Sequence, residues 1–105
     1  LALRYMQERG FVLLAKNYRA LRCEIDLVLR DGKTIVFAEV KTRAASSAYG
    51  LGREAVTAAK QRNIAKAAAA YLAAYSLHDA CVRFDVLEVD AANNSVTHIP
   101  GAFTL

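Results

Sequence analysis

Two apolar, β-branched segments separated by a turn dipeptide constrain this chain more than any other feature. Glu24 to Arg30 alternates acidic and apolar residues before becoming fully apolar, and Thr34 to Thr42 is again β-branched and apolar. Asp31-Gly32 lies between them, a pair that accepts the left-handed backbone of a tight hairpin. The two segments are expected to be antiparallel neighbours, and everything else must be arranged around them.

Upstream, Leu1 to Arg9 reads as the end of an amphipathic helix with Leu3, Met6 and Leu1/Tyr5 on one side, stopped by Gly10. Phe11 to Ala15 is the expected first strand and Asn17 to Arg22 a basic turn region. Downstream, Arg43 to Gly52 reads as a loop, with Gly50 and Gly52 as hinges of a flexible rim. Residues 53–77 form the clearest helix, rich in Ala, Lys, Arg and Gln without Gly or Pro. Val56, Ile64, Ala67, Tyr71 and Ala74/Tyr75 make its apolar stripe. Val82 to Val89 is a fourth strand, Asn93-Asn94 a turn and Ser95 to Ile99 a short fifth strand. This order predicts a mixed α/β sheet. The first three strands form a meander, and the long helix is a right-handed crossover that makes the fourth strand parallel to the third. The strands are apolar on both sides, so helices should cover both faces. The chain has 105 residues, 29 of them Leu, Ile, Val or Phe. That suits one domain spanning residues 1–105 and leaves too little for two cores.

Charge is unevenly spread. Residues 1–22 carry five basic residues and one acid, and residues 53–75 carry four and one. Between them residues 23–52 balance four against four, while residues 76–105 hold one Arg and four acids. A net charge of +4 thus hides two basic segments around a balanced one, a layout that permits a nucleic-acid partner. The longest apolar run, Ala67 to Tyr75, is far below the ~20 residues of a membrane span. Two cysteines, Cys23 and Cys81, make no disulfide framework or zinc spacing, and no signal peptide is visible. A cytoplasmic protein is expected. The chain begins at Leu1 rather than Met, so further residues are expected upstream.

The candidate chemistry lies on the hairpin. A turn at Asp31-Gly32 would set Glu24 opposite Glu39 and Asp26 opposite Phe37. Strand side chains alternate, so Glu24, Asp26, Glu39, Lys41 and Arg43 would share one side. Ile25, Leu27, Leu29, Val36, Ala38 and Val40 would form a core face on the other. Clustered carboxylates repel and require compensation. Lys41 and Arg43 could supply it as a salt-bridge network. A divalent cation could supply it instead: Mg²⁺ favours one or two carboxylates with waters and phosphate oxygens, and could generate hydroxide near a phosphodiester. Lys41 would then orient the water or stabilise developing charge.

Glu24-Ile25-Asp26-Leu27-Val28 followed by Val36-Phe37-Ala38-Glu39-Val40-Lys41-Thr42-Arg43 resembles the PD-(D/E)XK nuclease-like superfamily, and more narrowly the YraN-type bacterial proteins, related to archaeal Holliday junction resolvases. The likeness covers nearly the whole chain. It includes Gly10-Phe11 through Asn17-Tyr18-Arg19, Glu54-Ala55-Val56 through Lys60, Arg83-Phe84-Asp85-Val86, and His98-Ile99 through Ala102-Phe103. The resemblance implies a restriction-endonuclease-like three-layer α/β/α fold with about five strands. It implies Asp26 and Glu39 as metal ligands, the Val40 carbonyl as a third, Lys41 as the catalytic lysine and Glu24 as an accessory acid. It implies Mg²⁺ or Mn²⁺ as cofactor and a homodimer, since symmetric junction cleavage needs two sites. The superfamily's first-helix Glu would fall upstream of Leu1.

Arg43, Lys60, Arg62 and Lys66 are candidate nucleic-acid contacts, although Lys60 lies on the helix's apolar stripe and could simply pack its stem on the sheet. Arg62 and Lys66 share an outward face. His78 and His98 are isolated in sequence and read as surface or partly satisfied histidines. Asp85 beside Arg83 reads as a structural polar pair, with a position bordering the cleft as the functional alternative. Tyr18 and Tyr49 read as core or loop anchors, with base stacking as the functional alternative. The leading expectation is a metal-dependent endonuclease acting on structured or damaged DNA. The alternatives are a non-catalytic nucleic-acid-binding module with the nuclease fold, and a protein-interaction domain whose charges form surface networks only.

Overall fold

The computed structural model describes residues 1–43 and 56–104, with only the backbone of Arg43. Along the chain run α1 (Ala2–Glu8), β1 (Val12–Ala20), β2 (Cys23–Asp31), β3 (Thr34–Arg43), α2 (Ala58–Ala74), β4 (Cys81–Asp90) and β5 (Ser95–Phe103). The five strands form one mixed sheet in the order β1-β2-β3-β4-β5. β3 and β4 are parallel and the other neighbours antiparallel, as the meander and crossover reading requires.

The sheet buries apolar residues on both faces. Ile35, Phe37 and Val86 pack with Ile64, Ala67, Ala68 and Tyr71 of α2. Their alternates Val36, Ala38, Leu87 and Val89 pack with Ala2 and Met6 of α1. An aromatic line crosses the α2 side: Tyr18 meets Tyr71 edge-on at 5.1 Å, Tyr71 meets Phe37 edge-on at 5.9 Å, and Phe37, Phe84 and Phe103 stack in sequence. Such geometries suit the ring quadrupoles. They make Tyr18 a core anchor.

Several local expectations change. Asn17 to Arg22 is not a turn region: β1 continues to Ala20, and only Leu21 and Arg22, both at positive φ, form the turn. β1 is an edge strand, where basic side chains cost nothing, and pairs such as Lys16 with Leu27 and Arg19 with Glu24 carry it onward. β5 likewise extends past Ile99 to Phe103. Within the described residues α2 begins at Ala58, where Thr57 accepts a hydrogen bond from the Lys60 N–H at 3.2 Å, and its stripe ends at Tyr71. Tyr75 is exposed, as is Leu1 at the other helix. The 44–52 loop and Tyr49 lie outside the described residues.

The hairpin register also differs. Asp31 pairs with Thr34 and Leu27 with Ala38, so Gly32-Lys33 is the two-residue loop and the strands are two residues out of step with the expected pairing. Gly32 has φ +60°, the left-handed position that opens a type II′ turn. A slip of two preserves which side chains share a face, because the strand period is two. The cross-strand partners change. Ile25 is a further correction, since it packs on the α2 side while Leu27 and Leu29 pack on the α1 side.

Candidate functional site

The break in alternation marks the site. The regular β2–β3 pairing ends at Leu27 and Ala38. One residue further, the Asp26 carboxylate accepts the Val40 N–H at 2.8 Å, taking the place of a ladder carbonyl. The shifted register brings Asp26, rather than Glu24, to Glu39. Glu39 is 4% exposed and is one of two buried charged residues among the described residues. It follows Ile35 and Phe37 on the α2 side, so the acidic face is a continuation of the core and not a separate surface.

Two ammonium groups converge on Glu39. Lys60 Nζ lies 3.0 Å from Oε2 and Lys41 Nζ lies 3.6 Å from the same oxygen. Burial, helped by the neighbouring Asp26, pushes the Glu39 carboxyl above its ordinary range, and Lys60 opposes that rise. Lys60 in turn is pushed up, chiefly by its bond to Glu39. The two ammonium groups balance the two carboxylates, so the charges gathered in this water-poor position compensate one another.

Glu24 does not join this group by contact. Its carboxylate accepts from Arg19 Nε at 2.7 Å on a largely exposed pair, an interaction worth little to stability. Among the described residues no three His, Cys, Asp or Glu side chains are grouped to hold a metal ion. The donors that do come together are the carboxylates of Asp26 and Glu39. That pair fits a Mg²⁺-like ion, which completes its sphere with waters and substrate oxygens. The Val40 N–H is engaged by Asp26. Arg62 and Lys66 stand exposed on α2, away from its buried stripe, and the Arg43 side chain lies outside the described residues.

Lys60 is the residue whose role the sequence understated. Its position on the apolar stripe was the available signal: a lysine there must send its ammonium past the helix edge, and the residue of the central strand that it meets is Glu39.

A second polar cluster stands on the opposite side of the sheet. Asp85 is fully buried and accepts from Arg83 at 2.8 and 2.9 Å, from the Gly101 N–H at 3.0 Å, and bonds His98 Nε2 at 2.6 Å. Burial alone would push the Asp85 carboxyl up, but Arg83, the Gly101 N–H and His98 together hold it below its ordinary range. The cluster bridges the register shift between β4 and β5, where Phe84 pairs with Phe103 but Val86 with Ile99. Asp85 and Arg83 are thus a structural pair, and His98 is satisfied by it.

No helix among the described residues is long and apolar enough to cross a membrane. The model of the uncharacterised protein family UPF0102 matches residues 1–89. A UPF0102 protein of Geobacter metallireducens is 48% identical over 107 residues, covering all of this chain and 87% of that protein. One from Geotalea daltonii is 43% identical over 108 residues, covering all of this chain and 84% of its own length. A Legionella pneumophila relative is 38% identical over 104 residues, covering 98% of this chain and 87% of its own. With a family match over most of the chain and such relatives along its full length, the protein belongs to the UPF0102 family, the YraN-type group its hairpin motif resembles.

Proposed function

We propose that this protein is a metal-dependent endonuclease of the PD-(D/E)XK type, acting on phosphodiester bonds of structured or damaged DNA. The observation that carries the reading is the meeting of two carboxylates and two lysines at one break in the β2–β3 ladder. Opposed acids on a buried face are costly to stability, and catalysis is the use that would repay them. The two-helix, five-stranded mixed sheet is compatible with a restriction-endonuclease-like three-layer arrangement.

Asp26 and Glu39 would hold the cation, with Val40 contributing its carbonyl. A bound Mg²⁺ or Mn²⁺ supplies a polarised phosphodiester and a hydroxide near neutral pH. Lys41, 34% exposed and on the same face as Glu39, orients the attacking water and stabilises charge developing on the phosphate. Arg62 and Lys66 supply backbone contacts along α2. The test is cleavage of junction, flap, single-stranded and double-stranded DNA with Mg²⁺ or Mn²⁺. Cleavage should disappear in Glu39→Ala and Lys41→Ala. Cutting that survives both substitutions, or no cutting of any substrate, refutes the reading.

A non-catalytic nucleic-acid-binding module is the second reading, supported by the exposed bases of α2, which need no metal. It requires binding that weakens steeply with salt and ignores divalent cations.

A further inference from the structure

Lys60 reaches Glu39 from a different element and more closely than Lys41 does. Its Nζ is 3.0 Å from Glu39 Oε2 against 3.6 Å for Lys41. Its backbone is held at the first turn of α2, where the Lys60 N–H donates to Thr57 Oγ1. The side chain nevertheless remains 45% exposed, whereas the carboxylate it meets is 4% exposed. A fixed root, a flexible four-carbon stem and an open path to water describe a cation that can leave. A buried carboxylate describes an anion that cannot be left alone.

We propose that Lys60 is the resident counter-cation of Glu39, standing in for a divalent cation, so that metal entry and Lys60 departure are a single exchange. The inference rests on the metal-site reading above and adds to it the residue that controls occupancy. Lys60 contacts the carboxylate oxygen that a metal would need, and a positive charge at that distance opposes arrival of another. Outward rotation of the stem costs the core nothing, because the buried stripe of α2 is made by Ile64, Ala67, Ala68 and Tyr71. Lys41 sits on the strand that carries Glu39 and stays beside it in both states. Lys60 is therefore a positioning residue: it holds the Glu39 carboxylate in place while no metal is bound and tunes the affinity when one arrives.

The experiment is Mn²⁺ titration of the full chain by calorimetry, in the absence of nucleic acid, for wild type, Lys60→Met and Lys33→Met. Lys33 lies in the exposed β2–β3 turn and controls for net charge. Lys60→Met should bind Mn²⁺ roughly tenfold more tightly than wild type, while Lys33→Met should change affinity by less than about twofold. Lys60→Gln, which keeps a hydrogen-bond donor without charge, should also bind more tightly and guards against a misfolded Met variant. In the wild type, Mg²⁺ should increase the rate at which an amine-acylating reagent labels Lys60, read by peptide mass spectrometry. Equal or weaker Mn²⁺ binding by the folded Lys60 variants, with Lys60 labelling indifferent to Mg²⁺, overturns the exchange and leaves the metal site standing. Absence of Mn²⁺ binding in wild type and variants alike overturns both.

Discussion

The carboxylate of Asp26 accepts the backbone N–H of Val40 at 2.8 Å, one residue beyond the point where the regular pairing of their strands ends. A side chain thereby satisfies a donor that the ladder no longer reaches. The bond fixes Asp26 next to Glu39 and couples the local fold to the candidate chemistry. Asp26→Asn keeps an oxygen acceptor, whereas Asp26→Ala leaves the N–H without a partner. Asp26→Ala should therefore lose about 1–3 kcal/mol and Asp26→Asn distinctly less, by urea denaturation. Equal losses would show that the bond contributes nothing.

Glu39→Gln separates charge from shape. The carboxyl is held above its ordinary range by burial and by Asp26, so removing its charge relieves a cost while losing the ion pairs with Lys60 and Lys41. These effects oppose each other, and stability should change by less than about 1 kcal/mol. Mn²⁺ affinity should fall at least about tenfold in the same variant, since one of two anionic ligands is gone. A fold that collapses in Glu39→Gln contradicts the first expectation, and unchanged affinity contradicts the second.

Asp85 predicts an acid-sensitive clasp. Its carboxyl is held below the ordinary value of 3.8, so the folded state binds this proton less readily than the unfolded state. The stability it contributes is present above that value and is lost as pH falls through the folded-state value beneath it. Asp85→Asn should cost roughly 2–3 kcal/mol at neutral pH, discounted from a fully buried pair because Arg83 is partly exposed. Plotted from pH 7 to below 3, the gap between wild type and Asp85→Asn should narrow only at the acid end. A gap independent of pH would refute the assignment.

Thr57 caps α2 through the Lys60 N–H. Thr57→Ala should cost about 1 kcal/mol in thermal or urea unfolding, and Thr57→Ser should recover most of it. A neutral Thr57→Ala would mean that the helix start is held by other contacts.

Tyr71 and Tyr75 separate two positions that the helical pattern alone treats alike. Tyr71 is 4% exposed and Tyr75 is 60% exposed. Tyr71→Ala should lose about 3 kcal/mol and Tyr75→Ala less than about 1 kcal/mol, measured by equilibrium unfolding.

The hairpin strands, the crossover and the placement of Glu39 and Lys41 on one side of β3 were legible in the sequence, because they depend on local periodicity. Alternation assigns faces whatever the exact register, so the two-residue slip left Glu39 and Lys41 on one side of β3. Asp26 meets Glu39 at the point where the alternation of β2 breaks. Strand ends were less legible. Asn17 to Ala20 is polar enough to read as a turn, and only pairing with β2 makes it strand. Ile25 leaves its expected face because a carboxylate replaces a ladder bond at Asp26, which no apolar pattern encodes.

The sequence by itself determined the elements, their order and the side-chain types available for chemistry, since short-range sterics and the two strand and helix periods govern those choices. The tertiary structure decided which charges meet. Lys60 lies 21 positions along the chain from Glu39, and His98 lies 13 from Asp85, separations bridged only when the crossover and the β4–β5 pairing close. Burial then sets the value of those meetings, because a carboxylate withdrawn from water needs its partner far more than an exposed one such as Glu24.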